Sequence, residues 1–499
     1  MDKGGIGLSR KMPIFYSALM LTGVNLLLRL AGTAFGVYIS GRIGPAGVGL
    51  LQLVMSVGGL AMTAGIAGVR TATMYLTAEE LGKNRPQNVK WTLSCCFTYS
   101  ILCSGAVAGA LYLFAPQIAG GWIGDSRTVG AVRLLAAFLP VSCLCGVMSG
   151  YFTAANRIGT LAAVEVAEQV CSMAVTMGML TFWAGSDPAR ACQAVVLGSG
   201  TGAILTLTLL VALRLREKAP KAAPIPVRSR LLNMAVPLAL ADVLKSGIST
   251  TENLMVPKRL TLYPGETDPL ASFGAVCGMV FPVLMFPAAI LFGLCELLIS
   301  ELARCNAAGS RQRTEYLVKR SLRVGLIYGC VFACLMFLLG EDLCLALYGS
   351  ADAGRYLRLY ALLIPMLYCD ALTDAMTKGL GQQKACVRYN ILTSSLDVAF
   401  LFLLLPRYGM MGYFMSFLVT HLLNFILSLR RLLKISRCRI RAKTPLLAVL
   451  ATAGAVFGAK FVSQPVLRAG ACVILLGCLL FLFRVLSKED IRWVKGLIK

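Results

Sequence analysis

Charge is what this chain of 499 residues has least of: 14% of its residues are charged against 57% hydrophobic, and mean hydropathy is +0.75. That balance excludes a soluble domain of this length and describes a polytopic membrane protein. Histidine occurs once and no CxxC pair occurs at all, so a zinc site of the usual spacing is not indicated. The 18 cysteines are scattered, many inside apolar runs, where they read as small buried hydrophobes and not as a disulfide framework. A Walker loop, a nucleophile elbow and a catalytic cluster are missing too. No enzyme activity and no cofactor are therefore expected. Acids are scarce, 23 against 48 lysines and arginines. In a soluble chain the resulting +25 would suggest nucleic acid, but here basic residues have to be read by their place along the chain, and no nucleic-acid partner is expected.

What is present is a series of apolar runs long enough to cross a hydrocarbon core of about 30 Å. About 14 are expected, near 13–40, 46–76, 91–114, 130–154, 160–183, 193–213, 230–256, 272–300, 321–340, 356–379, 385–405, 411–433, 444–462 and 466–486. The first has a basic flank but carries Arg29 and lacks a small-x-small cleavage site, so an uncleaved helix is expected. With the N-terminus inside, 34 of the 48 basic residues fall on the inner side, 11 on the outer, and Arg29, Arg70 and Lys245 lie within spans. Both termini are expected in the cytoplasm, with the acidic and turn-forming loops outside.

The stretch RLREKAPKAAPIPVRSR, residues 214–230, interrupts two apolar blocks with basic residues and three prolines. It reads as a cytoplasmic linker. A weak repeat flanks it: Asn156-Arg157 answers Gln383-Lys384, and Lys83-Asn84-Arg85 answers Gly309-Ser310-Arg311. The expected organisation is a six-helix lobe over 1–213, the linker 214–230, a second six-helix lobe over 231–434, and two accessory spans with a tail over 435–499. Six spans per half make the lobes parallel repeats, with a site expected between them near the midplane.

Candidate site residues come from polar groups at helical spacing. Thr22, Asn25, Arg29, Thr33, Gly36 and Ser40 share a face of the first span. Arg29 lies about 24 Å along it, where a charge costs roughly 3 kcal/mol and is kept for a partner or a wet path. Its neighbours one turn away, Asn25, Leu26, Gly32 and Thr33, are uncharged, so its anion must come from another helix or from a substrate. Arg70 shares a face with Gln52, Ser56, Gly59 and Thr63 but lies within about two turns of the expected helix end, from which it can also snorkel to water. On the seventh span Asp242, Lys245, Ser249 and Glu252 form a second polar stripe, although Asp242 and Lys245 are also placed to neutralise each other. Glu165, Glu168, Glu296, Asp370, Asp374 and Asp397 are unranked candidates for a coupling H⁺ or Na⁺ or for interhelical pairing. His421 reads as a hydrogen-bonded packing residue. Pro282 and Pro287 mark a kink in the eighth span.

Two six-helix halves plus two helices, Arg29 in the first span, GIAGVRTATMYLTAEELGKN closing the second and GYFTAANRIGTLAAVEVAEQ leaving the fourth together resemble the multidrug/oligosaccharidyl-lipid/polysaccharide (MOP) exporter superfamily. The nearest likeness is to its polysaccharide-biosynthesis branch, which includes stage V sporulation and lipid II flippase proteins. The resemblance implies a V-shaped pair of all-α lobes that opens alternately to each side and carries an undecaprenyl-diphosphate-linked saccharide outward. It also implies that Arg29 and Arg70 meet the diphosphate, which fixed cations would offset in hydrocarbon. Expected partners are the lipid-linked saccharide, membrane lipid and enzymes of cell-wall or polysaccharide synthesis, and the drive would be the membrane potential or an Na⁺ or H⁺ gradient. Two other readings stand beside this one. A cation-coupled multidrug exporter would want acids and aromatics in its cavity, and a non-transporting scaffold of a cell-wall complex would not need a wet interior.

Overall fold

The computed structural model describes residues 14–83, 85–216, 227–438, 443–483 and 485–486, with side chains from Gly23 on, Asn25 excepted. Every regular element among them is helical. In chain order the main helices are α1 (Ile14–Ile66), α2 (Val69–Gly82), α3 (Val89–Leu113), α4 (Val129–Ala154), α5 (Ile158–Met179), α6 (Pro188–Leu215), α7 (Arg228–Leu260), α8 (Ala288–Ala307), α9 (Arg311–Tyr348), α10 (Ile364–Gly379), α11 (Gln383–Ser436), α12 (Lys443–Ala459) and α13 (Pro465–Leu482). Nine apolar helices are long enough to cross a membrane, and two bent pairs, Pro269–Met285 with α8 and Ala351–Ala361 with α10, add one span each. Two of the nine are too long for one crossing, since 57 residues of straight helix would run about 85 Å. Each divides at a glycine with positive φ that follows or precedes a proline: Gly44 (φ 68) before Pro45 in α1, and Gly409 (φ 57) after Pro406 in α11. Glycine takes that conformation without steric cost, and proline removes a backbone donor. With α12 the described residues supply fourteen spans, as the apolar runs require. Large apolar side chains left open, such as Phe182 at 90% exposure, suit lipid and would be a liability in water.

Breaks inside a span leave carbonyls without intrahelical partners, and no water reaches them in hydrocarbon. Three tyrosines fill that need. The second span breaks at Ala67 (φ 44) and Gly68 (φ 71), and the Tyr99 hydroxyl of α3 donates to the Ala67 carbonyl at 3.2 Å. The eighth span bends by 60° where Pro287 was expected to kink it. There the Tyr328 hydroxyl donates to the Pro287 carbonyl at 2.8 Å and the Tyr368 hydroxyl to the Leu284 carbonyl at 2.9 Å. A further bend of 58° separates Ala351–Ala361 from α10, where Pro365 is the second residue of α10 and lacks the N–H that would continue the preceding helix.

By contacts the chain forms two compact units, and their borders fall inside helices. Unit 1 takes the described residues up to Gly32 and Leu53–Thr250; unit 2 takes Thr33–Gln52 and the described residues from Thr251 on. The borders expected at 213 and 231 are not those of the contacts, and most of the linker 214–230 lies outside the described residues. The reason is packing. Val227, near the end of the linker, and Leu231 and Ala235, just after it, are buried in the unit 1 core with Leu76, Val89, Leu93, Tyr151 and Leu210. In unit 2, alanines 448, 451, 455 and 459 recur every three or four residues along α12 and pack with Cys330, Cys334, Cys472 and Leu476. All 18 cysteines are free thiols, twelve of them buried, in keeping with their reading as small hydrophobes.

Gly68 tests this arrangement. A Cβ there would lie 2.6 Å from the Ala235 carbonyl of α7, in a backbone conformation that already disfavours a side chain. Gly68→Ala is expected to destabilise unit 1 by more than the roughly 1–2 kcal/mol of left-handed backbone alone, whereas Gly59→Ala, with nothing within 4 Å, should not. Melting curves of the two variants in detergent would contradict the assignment if they matched.

Candidate functional site

The two units carry different polar equipment. Within unit 1, Arg29 is exposed on the first half of α1, and Asp242, Lys245 and Ser249 are exposed along the first half of α7. The side chain of Asn25 lies outside the described residues. Asp242 and Lys245, one turn apart, form no ion pair with each other among the described residues. Their placement as a self-neutralising pair is therefore not realised. Arg29 and the α7 stripe as far as Thr250 thus stand on one compact unit, whereas Thr33, Gly36 and Ser40 of the first stripe and the half-buried Glu252 belong to unit 2. Thr250 is buried, and its hydroxyl donates to the Ser56 carbonyl of α1 at 3.1 Å.

Arg70 is placed by the break before it. It is the second residue of α2, exposed, and α2 runs on to Gly82, so Arg70 lies about 18 Å from that end and not two turns from it. Gly150 of α4 allows the approach, since a Cβ there would come within 2.6 Å of the Arg70 carbonyl. Glu165 of α5 lies within electrostatic reach of Arg70 and of Glu168, and Glu168 accepts a 2.7 Å hydrogen bond from Thr206. Between α3 and α4, Arg127 chelates Asp125 at 2.7 Å and holds its carboxyl below the usual range.

Unit 2 holds Asp397, Glu252, Asp370 and Asp374. Asp397, 9% exposed, accepts from the Ser416 hydroxyl at 2.5 Å and from Thr420 at 3.1 Å, both from the second half of α11. Glu252, Tyr360 and Tyr413 lie within its electrostatic reach. The Tyr360 hydroxyl is buried without a hydrogen bond. Beside this group is a cavity of 210 Å³ lined by Tyr368, Asp370, Asp374, Asn390, His421 and Asn424, among others. Asn424 donates to Asp370 at 3.1 and 3.3 Å, and Asp374 pairs with Lys378 at 2.7 Å. His421 donates from Nδ1 to the Phe417 carbonyl at 3.0 Å and stacks on the Phe417 ring at 3.8 Å, the packing role expected of it.

The donors to Asp397 and Asp370 were not singled out from the sequence, although a signal exists. Gly412, Ser416, Thr420, Asn424 and Ser428 fall on a four-residue spacing, one small or polar residue per turn along a single face, and Ser436 resumes it past Leu432. All six are buried. In a span, such a stripe faces protein and not lipid.

A multi-span, all-α membrane protein with charged side chains of both signs within its spans is the class these features define. The MatE family model matches residues 22–177 and 237–403, well over half the chain, and the chain belongs to that family, within the MOP superfamily. It is a transporter and not an enzyme. It is 22% identical to stage V sporulation protein B of Bacillus subtilis (strain 168), over 97% of this chain and 98% of that protein. Among solved structures, the fold is similar to the lipid II flippase MurJ in an inward closed conformation, with a TM-score of 0.68 and 12% identity over 93% of this chain and 99% of that one. It is also similar to a multidrug resistance MATE family transporter of the MOP superfamily in an inward-facing conformation, with a TM-score of 0.66 and 15% identity over 85% of this chain and 100% of that one.

The donors around Asp397 have a measurable weight. Thr420→Val keeps the shape and removes one donor to a buried carboxylate, which should cost about 1–3 kcal/mol, and Ser416→Ala at least as much because it removes the closer donor. Lower melting temperatures for both, with Ser428→Ala nearer the parent, are the expected result.

Proposed function

We propose that the chain moves a saccharide linked to undecaprenyl diphosphate from the inner to the outer leaflet of a bacterial cytoplasmic membrane by alternating access. One observation carries the reading: three cations that lie within spans, Arg29, Arg70 and Lys245, are all exposed on one compact unit. Exposed cations at depth suit a diphosphate that has to cross hydrocarbon, and guanidinium adds a fork that grips two oxygens at once. They repel the cationic drugs of a multidrug exporter. The similarity to stage V sporulation protein B and the fold shared with MurJ agree with a lipid-linked substrate.

With no nucleotide site in the sequence, the drive falls to the membrane potential and to a coupled cation. Outward movement of about two negative charges through roughly 100 mV, interior negative, releases up to about 4.6 kcal/mol. Buried Asp397 with half-buried Glu252, and half-buried Asp370 with Asp374, are the groups we assign to a coupling H⁺ or Na⁺.

Arg29→Ala should abolish movement of the lipid-linked saccharide in proteoliposomes while the melting temperature stays near that of the parent. Arg29→Lys, which keeps charge and loses the fork, should retain part of the rate. Normal movement by Arg29→Ala would remove the residue from the substrate path. A fall of about 3–5 kcal/mol in stability would instead mark it as half of a structural pair. The orientation has its own check. Both termini and the linker are placed in the cytoplasm, so Ser229→Cys should resist an impermeant thiol reagent in intact cells and react once the membrane is opened.

A further inference from the structure

The first half of α7 is tied to α2 by charge as well as by packing. Arg230 sits between two buried neighbours, Val227 and Leu231, which fix its backbone in the unit 1 core. Its guanidinium reaches both carboxylates at the far end of α2: Glu79, which also pairs with Lys83 at 2.5 Å, and Glu80 at 3.3 Å. Glu80 is not an ordinary surface acid. Its side chain is 5% exposed and accepts a second hydrogen bond, 2.9 Å, from Asn88. Exposed ion pairs hold little, but a buried carboxylate must keep its partners, so the fork of Arg230 is held to one geometry.

What the clasp holds is a short, rigid rod. α2 has 14 residues, with Glu79 and Glu80 in its last turn and Arg70 at its start, about 13–15 Å apart along the axis. Between them Ala72, Thr73, Leu76 and Thr77 are buried, so the rod does not flex within the unit. At the Arg70 end Ala67 and Gly68 leave the helical conformation, so the direction of α2 is not simply that of the helix before it. We infer that Arg230 is a positioning residue for Arg70: by clamping Glu79 and Glu80 it sets the angle of α2 about the Gly68 break and so the place at which Arg70 is presented. This rests on the reading of Arg70 as a contact for the substrate diphosphate, but the positioning itself is independent of any substrate.

The two parts separate experimentally. In an Arg70→Cys chain, the alkylation rate at that cysteine, followed by mass spectrometry with N-ethylmaleimide, is expected to change at least threefold on Arg230→Gln. Arg230→Lys, a cation without the two-carboxylate fork, should restore part of it. Glu80→Gln, which keeps the shape of the side chain, serves as the milder variant if Arg230→Gln fails to fold. With Arg70 intact, Arg230→Gln should raise the half-saturating concentration of undecaprenyl-diphosphate-linked saccharide about tenfold in the proteoliposome assay and leave the maximal rate within twofold. An unchanged alkylation rate in both variants, with only a lower melting temperature, would show a purely structural clasp and overturn the inference. A changed alkylation rate with unchanged transport would leave the positioning intact and remove Arg70 from the substrate path.

Discussion

A backbone that breaks inside a membrane must find its own hydrogen bonds, and the architecture of this transporter depends on how that is done. Three tyrosine hydroxyls, from Tyr99, Tyr328 and Tyr368, each donate to a carbonyl at a break. An unsatisfied carbonyl in hydrocarbon costs several kcal/mol, and at these breaks a neighbouring helix delivers a donor. The break at Ala67–Gly68 is the consequential one. It places Arg70 at the head of a separate helix, lets α7 approach to contact at Gly68, and turns what would be one long span into two rods.

The same economy governs the side chains. Two acids of unit 2 are supplied with donors, buried Asp397 by Ser416 and Thr420 and half-buried Asp370 by Asn424. In unit 1 the buried Glu80 is held in the same way by Arg230 and Asn88, while Arg70 and Lys245 are exposed within their spans.

Much of the fold was legible in the chain. Each of the fourteen spans lies where an apolar run of sufficient length predicts it, because hydrocarbon admits little else. Gly44-Pro45 and Pro287 announced their breaks, since glycine and proline alter backbone geometry locally and need no neighbour to do so. The break at Ala67–Gly68 was hidden: alanine favours helix, and only the approach of α7 and the Tyr99 hydroxyl make the departure worthwhile. The polar stripe from Ser416 to Ser428 was written plainly at one residue per turn, but each member is individually unremarkable in an apolar span and becomes a site only through Asp397 and Asp370 on other segments.

By itself, then, the sequence determined the number, length and polarity of the spans and the identity of the three cations inside them, because these follow from the thickness and dielectric of the bilayer. Only the tertiary structure decided which unit each stretch joins. Val227, Leu231 and Ala235 are apolar residues like any others, yet they pack among Leu76, Leu93 and Leu210 and carry the start of α7, with Asp242, Lys245 and Ser249, into the unit that holds Arg29 and Arg70. Apolar burial is non-directional, so composition says that such residues will be covered but not by what. That choice is made by shape, at contacts such as Gly68 against Ala235, where the absence of one methyl group decides which helix comes close.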